Sequence, residues 1–143
     1  MINDYFDLRL GEFDQEYFDN LPDYSRIVPP DMSSEMFYHT IYVDGEKAGV
    51  VGFIPMLGQK DTGFAQIVLA PEIRGRGLIE NAYEALAERH DLKTLYVTIR
   101  KDNLIALSAH EKIGFVRLSE EKLKNLRERG LIAGDEVRYM KEF

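Results

Sequence analysis

The segment that most constrains this chain runs from Leu69 to Glu80, Leu-Ala-Pro-Glu-Ile-Arg-Gly-Arg-Gly-Leu-Ile-Glu. An apolar run of strand type ends at Pro71, and two arginines alternate with two glycines over 74–77. A stripe of helical spacing follows at once through Leu78, Ala82 and Leu86, joined by Ile79, Tyr83 and Ala87. A strand that turns tightly into a helix leaves unpaired N–H groups and partial positive charge at the helix start, and glycines let a ligand approach that backbone. Arg74 and Arg76 add charge-assisted donors, each worth about 1.5–3 kcal/mol to an anion. The stretch reads as a cradle for a pyrophosphate-bearing ligand, with a solvated Arg-Gly turn as the alternative.

Periodicity places the other elements around this transition. Tyr5 to Leu10 alternates as a first strand, and Asp14 caps a short helix with Tyr17, Phe18 and Leu21 on one face. Residues 22–34, with Pro22, Pro29 and Pro30, read as a loop. Met36 to Val43, Lys47 to Met56 and Phe64 to Ala70 read as an antiparallel meander, turning at Asp44-Gly45 and at Gly58 to Gly63. Gly49, Gly52 and Pro55 predict a bulge or an edge in the middle strand.

After a helix ending near His90-Asp91, Thr94 to Arg100 is again of strand type, and Asp102 or Asn103 caps a helix through about Lys112. Phe115 to Leu118 returns to strand, Ser119 opens a helix that Gly130 stops, and a final strand begins at Glu136. The strand-helix-strand unit over 64–100 demands a right-handed crossover, hence a parallel pair inside an otherwise antiparallel sheet. Ligands in such sheets bind beyond the carboxyl ends of the strands, where Arg74 to Leu78 lies. The fold class is α+β: a mixed, mostly antiparallel central sheet flanked by helices, in one domain over residues 1–143.

The bulk properties narrow the function. The formal net charge of −7 argues against nucleic-acid binding and favours a cationic partner or substrate. Asp4, Asp7, Glu12, Asp14, Glu16, Asp19 and Asp23 crowd the N-terminal region against Arg9 alone, which a solvated face explains equally well. No apolar run approaches the roughly 20 residues of a membrane helix, and the N-terminus lacks a secretory pattern. The absence of cysteine suits a reducing, cytoplasmic setting. The histidines at 39, 90 and 110 have no metal-ligand spacing, so no metal is expected, and no Gly-x-Ser-x-Gly elbow occurs.

Two segments, in order and at the right separation, resemble one family. Arg74-Gly75-Arg76-Gly77 resembles the Arg/Gln-x-x-Gly-x-Gly/Ala signature of the GNAT superfamily of acyl-CoA-dependent N-acetyltransferases. Asn103-Leu-Ile-Ala106-Leu-Ser-Ala-His110-Glu111-Lys112-Ile-Gly114-Phe115 resembles its second motif, usually Asn-x-x-Ala-x-x-x-Tyr-Glu-Lys-x-Gly-Phe. The motifs cover residues 64–118, and the N-terminal third matches only in outline.

The resemblance implies a GNAT-like acyl-CoA N-acyltransferase fold with acetyl-CoA as co-substrate and a primary amine, on a small molecule or a protein, as acceptor. It implies that backbone groups of Ile67, Val68 and Leu69 pair with the pantetheine arm. Arg74, Gly75, Arg76, Gly77, Leu78, Ile79 and Glu80 would form the pyrophosphate cradle, and Asn103 would bond the pantetheine region. His110 stands where the family commonly has a tyrosine acting as general acid toward the leaving thiolate. The family often forms dimers, so a homodimer is expected as readily as a monomer.

Two departures matter. Ile79 replaces the small last residue of the signature, so its side chain either crowds the phosphates or points toward the sheet. Histidine for tyrosine at 110 exchanges an acid of pKa about 10 for one of about 6.5, roughly one-quarter protonated at pH 7. Either His110 supplies the proton, or it fills its helix face and water does so. A non-catalytic acyl-CoA sensor or interaction domain is the alternative function.

Direct attack needs a neutral amine, and a lysine-like amine is only about 0.04% neutral at pH 7, a deficit of roughly 4–5 kcal/mol. His39, on the strand before the Asp44-Gly45 turn, is the first candidate for the substrate-side group, followed by Gln66, Glu35 and Glu72. Tyr38, Tyr42 and Phe37 read as strand packing.

Overall fold

Alternating β-branched and aromatic residues build one seven-stranded sheet, in a computed structural model that describes residues 6–22, 35–74 and 77–143. The strands are β1 (Leu8–Gly11), β2 (Phe37–Val43), β3 (Glu46–Met56), β4 (Gln59–Leu69), β5 (Thr94–Arg100), β6 (Val116–Arg117) and β7 (Glu136–Glu142). The helices are α1 (Gln15–Asp19), α2 (Leu78–His90), α3 (Leu104–Lys112) and α4 (Glu120–Glu128). Spatial order is β1-β2-β3-β4-β5-β7-β6, so the last strand inserts between its two predecessors. Tyr5, most of the expected loop over 22–34, and Gly75 and Arg76 of the arginine-glycine turn lie outside the described residues.

The meander is present, and the α2 crossover makes β4 and β5 parallel as expected. Its second turn is tighter than the glycines at 58 and 63 suggested. Met56 pairs with Gln59, and Gly58 takes the turn at φ +80°, while Gly63 stays in β4 against the Phe53 ring. Of the two readings for Gly49, Gly52 and Pro55, the bulge holds. β3 is interior, and register shifts occur between Ile41 and Tyr42 and between Pro55 and Met56. β6 is shorter than the sequence suggested.

Side-chain parity divides the core. On one face Ile41, Val51, Phe53, Ala65, Leu95, Val97 and Tyr139 pack with Leu78, Ala82, Tyr83 and Leu86 of α2 and Leu123 of α4. On the other, Tyr38, Val50 and Val68 pack with Phe18 of α1 and with Leu21. Asp14 caps α1 by accepting from the Tyr17 N–H, and the Asp14 N–H donates to the buried Thr40 hydroxyl at 2.9 Å, which fixes α1 to β2. Neither β5 nor β7 contributes to this second cluster, so among the described residues α1 covers the β2–β4 half of this face and no helix covers the rest.

Tyr38, Gly52 and Gln66 form one cross-strand row on that second face. A Cβ at Gly52 would come within 1.8 Å of Tyr38 Cδ1 and 2.6 Å of the Phe37 carbonyl oxygen. Gly52→Ala should therefore lower stability by about 1–3 kcal/mol, the usual cost of overpacking, as a reduced urea midpoint. A midpoint shift worth less than about 0.5 kcal/mol would show that the Tyr38 ring moves aside without strain.

Candidate active site

Backbone accounting locates the site. β4 and β5 pair only through Thr62↔Thr94, Gly63↔Leu95 and Phe64↔Tyr96. β3 continues to hold one edge of β4 as far as Leu69, and β7 holds one edge of β5 as far as Arg100. Among the described residues the inward edges of 65–69 and 97–100 therefore face each other without a ladder, and apart from the Leu69 carbonyl oxygen, which accepts from Arg74, the backbone groups of Ala65 and Ile67 and the Leu69 N–H on that edge need a partner. Of the expected set, Ile67 and Leu69 direct backbone groups at this open edge, whereas the register set by the Ala70 N–H bond to the Ala48 carbonyl oxygen turns those of Val68 toward Val50 of β3. Val68 is buried in the second core, and Ile67 and Leu69 pack against the main core.

The wide end of the gap meets the start of α2. Ala70 leads into a single 3₁₀ turn, Pro71–Ile73, and Gly77 then caps α2 at φ +73°, a left-handed conformation that glycine adopts without penalty. Leu78, Ile79 and Glu80 form the first helical turn, whose N–H groups have no partner within the helix. The Arg74 Nε–H donates to the Leu69 carbonyl oxygen at 3.1 Å, bringing a cation to the carboxyl end of β4. Of the two readings for Ile79, the structure shows packing toward the sheet: its side chain is half-buried against the main core, while Leu78 is 1% exposed. Asn103 caps α3, its side-chain oxygen accepting from the Ala106 N–H at 3.2 Å, and its NH₂ makes no hydrogen bond among the described residues.

His110 and His39 are not brought together. His110 is 7% exposed, and its Nδ1 lies 2.8 Å from the Ala106 carbonyl oxygen, to which it donates. That tautomer makes Nε2 the acceptor for the Tyr83 hydroxyl at 2.9 Å. Burial pushes the imidazole pKa below its ordinary value, and the wholly buried Tyr83 phenol is pushed up. With Phe115, the two rings form an aromatic cluster.

His39 lies at the other end of α2. It pairs with Val51, which pairs with Ile67, so two strand spacings of about 10 Å separate it from the open edge of β4. Its Nε2 lies 2.8 Å from Nε2 of His90, whose ring packs against Phe37 and Phe53, and its Nδ1 lies 3.3 Å from the Gly11 carbonyl oxygen. Burial lowers both pKa values, with the Arg89 cation adding to the effect.

Of the further candidates, Gln66 alone is positioned by a polar partner across the sheet. Its Oε1 accepts from the Tyr38 hydroxyl at 2.9 Å, beside the gap on the face opposite α2. Burial pushes the Tyr38 pKa up to about 12, so it remains a donor at any working pH. Glu35 and Glu72 are exposed. Sequence reasoning gave Tyr38 a packing role because the Tyr38-Gly52-Gln66 row exists only once both hairpin registers are known. It missed Arg138 of β7 altogether. The side chain of Arg138 crosses β5, donating from Nε and NH2 to the Thr98 hydroxyl at 3.3 and 3.2 Å, and its guanidinium sits 4.9 Å over the Phe64 ring. Among the described residues no group of three or more histidine, cysteine, aspartate or glutamate side chains is arranged to hold a metal ion, and no helix is long and apolar enough to cross a membrane.

Comparison with known proteins identifies the family and the fold. The sequence model of the acetyltransferase (GNAT) family matches residues 2–115. The spermidine N(1)-acetyltransferase of Escherichia coli (strain K12) is 30% identical over 89 residues, 59% of this chain and 47% of that protein. The chain thus spans about half the length of the curated relatives it matches. Among solved structures, the N-acetyltransferase PseH of Campylobacter jejuni in complex with acetyl coenzyme A superposes with a TM-score of 0.65 at 16% identity, over 96% of this chain and 99% of that one. A chimera of the Vibrio cholerae spermidine N-acetyltransferase SpeG superposes with a TM-score of 0.67 at 18% identity, over 94% and 95%.

The three lowered histidine pKa values carry a stability prediction. A group whose pKa is lower folded than unfolded stabilises fully above the unfolded value, near 6.5, and loses that contribution as pH falls through the folded value. Melting temperature should therefore fall between pH 7.5 and 5.5. The His39→Gln/His90→Gln double variant should show a shallower fall; equal slopes in the two proteins would show that the His39–His90 pair does not titrate with unfolding.

Proposed function

This chain belongs to the acetyltransferase (GNAT) family, and from that premise we propose that it transfers the acetyl group of acetyl-CoA to a primary amine by direct attack within a ternary complex. The observation that carries the reading is the unpaired gap between β4 and β5, opening onto the N-terminus of the 13-residue helix α2. A pantetheine arm has amide groups able to act as a further strand there, and a pyrophosphate suits the unpaired N–H groups and positive end of α2. The residues present therefore fit acetyl-CoA, which supplies an activated acetyl group and a thiol leaving group.

In this reading Ile67 and Leu69 offer backbone groups along the gap while Val68 stays bonded to β3, one N–H of this edge polarising the thioester carbonyl. Arg74, Gly75, Arg76 and Gly77 to Glu80 hold the phosphates, and Asn103 donates from the β5 side. Of the two roles weighed for His110 we favour the core one, because both ring nitrogens are already engaged, and water then protonates the thiolate. His39, paired with His90, has a structural role for the same reason. Tyr38 and Gln66, beside the gap, orient the acceptor or the water that takes its proton. The acceptor is a small-molecule or protein amine, and the cytoplasm is the expected compartment.

Thiol release from acetyl-CoA across a panel of amines, with thermal shift by coenzyme A alongside, tests the reading. A coenzyme shift with turnover of at least one amine is expected. The profile should lack a limb in which activity falls as pH rises through a histidine pKa, and His110→Phe should not create or remove one; such a limb, abolished in His110→Phe, would make His110 the acid. A coenzyme shift with no release for any amine would support a binding module, and no shift at millimolar coenzyme would overturn both.

A further inference from the structure

The open face of the sheet carries a half-buried cation that the reading above does not use. Continuing the β4–β5 register two residues past Phe64↔Tyr96 puts Gln66 level with Thr98, which pairs with Arg138. Tyr38, Gly52, Gln66, Thr98 and Arg138 thus form one row across the gap. Arg138 leans back over β5, so that its guanidinium stacks on Phe64 of β4, where the gap closes. Thr98 accepts from Nε and NH2. A guanidinium has five N–H groups, and among the described residues the others have no hydrogen-bond partner and the cation makes no ion pair.

The charges facing Arg138 do not satisfy it. Glu136, on the same face of β7, favours the Arg138 cation by its charge but makes no ion pair with it, and one of its carboxylate oxygens accepts from the Ala133 N–H at 2.8 Å. Arg100, opposite Glu136, is paired with Asp102 and Asp135. Tyr96 and Met140, the next row toward the narrow end, bring no charge. Glu142, on the same face of β7 and opposite Thr94, lies a further row away. A partly desolvated cation that no carboxylate pairs directly favours an incoming anion, and a planar guanidinium takes a carboxylate or phosphate through two parallel bonds.

Position distinguishes the acceptor from the coenzyme as the source of that anion. Phe64, at the closed end of the gap, lies five residues along β4 from Leu69, or roughly 17 Å, while the coenzyme phosphates are assigned to the α2 N-terminus beyond Leu69. We infer that Arg138 is a specificity-determining residue of the acceptor site, holding an oxyanion carried by the amine, beside the Tyr38–Gln66 pair. This rests on the acetyltransferase reading and refines it. The acceptor is an amine that also bears a carboxylate or a phosphate, as an amino acid or a phosphorylated amino sugar does. An all-cationic polyamine offers Arg138 nothing and is repelled by it.

Matched amines test this. Thiol release is measured for lysine against cadaverine and for glucosamine 6-phosphate against glucosamine, with wild type, Arg138→Gln and Arg138→Lys. In at least one pair the anionic member should have a kcat/KM at least tenfold higher. Arg138→Gln should erase that preference through KM, and Arg138→Lys should restore part of it. Preference confined to the first pair identifies a carboxylate, and to the second a phosphate. Equal or better use of the non-anionic members overturns the inference, as does a loss in Arg138→Gln that is equal for both members and lies wholly in kcat, which would place the guanidinium at the thioester.

A readout independent of turnover uses protein saturated with coenzyme A. N-acetylglycine or inorganic phosphate should raise the melting temperature where N-methylacetamide does not, and Arg138→Gln should lose that rise while keeping the shift due to coenzyme. No rise with either anion in the wild type overturns the inference. Failure of the acetyltransferase reading looks different: no stabilisation by coenzyme A and no release with any amine.

Discussion

Hydrogen-bond satisfaction is the constraint on which the rest of this structure depends. Three residue pairs join β4 to β5, and then two strands that remain well paired on their outer edges separate along their inner ones. Unpaired backbone inside a sheet is unfavourable unless water or a ligand completes it. The gap is held open from outside: the hairpin ladder fixes β4 to β3, the long β5–β7 ladder fixes β5, and α2 spans the main-core face of both halves. What the sheet lacks at that point is a strand-like partner, which an extended amide chain supplies.

The two faces of the gap have different chemistry because the helices are distributed unequally. The main-core face is packed by α2 and α4, with the Tyr83–His110 pair buried beneath α3. The second face is closed by α1 over β2 to β4 and is uncovered over β5 and β7 among the described residues. The groups proposed to meet an acceptor, the Tyr38–Gln66 hydrogen bond and the Arg138 guanidinium, both lie on the second face. Although the chain carries a formal charge of −7, arginines stand at both ends of the gap, Arg74 at the carboxyl end of β4 and Arg138 at the narrow end. Local charge here opposes the global balance, and it is the local charge that a ligand meets at contact distances.

The elements legible in the sequence were those set by local rules. The α2 stripe, a helix cap at Asp102 or Asn103, the Asp44-Gly45 turn and the parallel crossover follow from periodicity, capping and chain handedness, and the two motifs carry the resemblance to the family. What was not legible depends on register between distant strands. The apposition of His39 with His90, 51 residues away, the row joining Tyr38 to Gln66, and the reach of Arg138 over Phe64 each need two or more registers at once. The same holds for β7 inserting between β5 and β6: pairing strength, not chain order, decides adjacency. His110 could be placed on its helix by motif, but the partner that engages it is Tyr83, which sits in the α2 stripe as an apparent packing residue. Ile79 departs from the family pattern, and tertiary packing decides which way it points.

The most direct measurement of the central claim is amide hydrogen exchange with and without acetyl-CoA. Residues 65–69 of β4 and the first turn of α2 should exchange more slowly with the coenzyme present, because on the proposed reading a pantetheine amide chain and a pyrophosphate take up gap-facing N–H groups, such as those of Ile67 and Leu69, that have no ladder partner among the described residues. Slowing confined to other segments, or none in 65–69 at saturating coenzyme, would contradict the account.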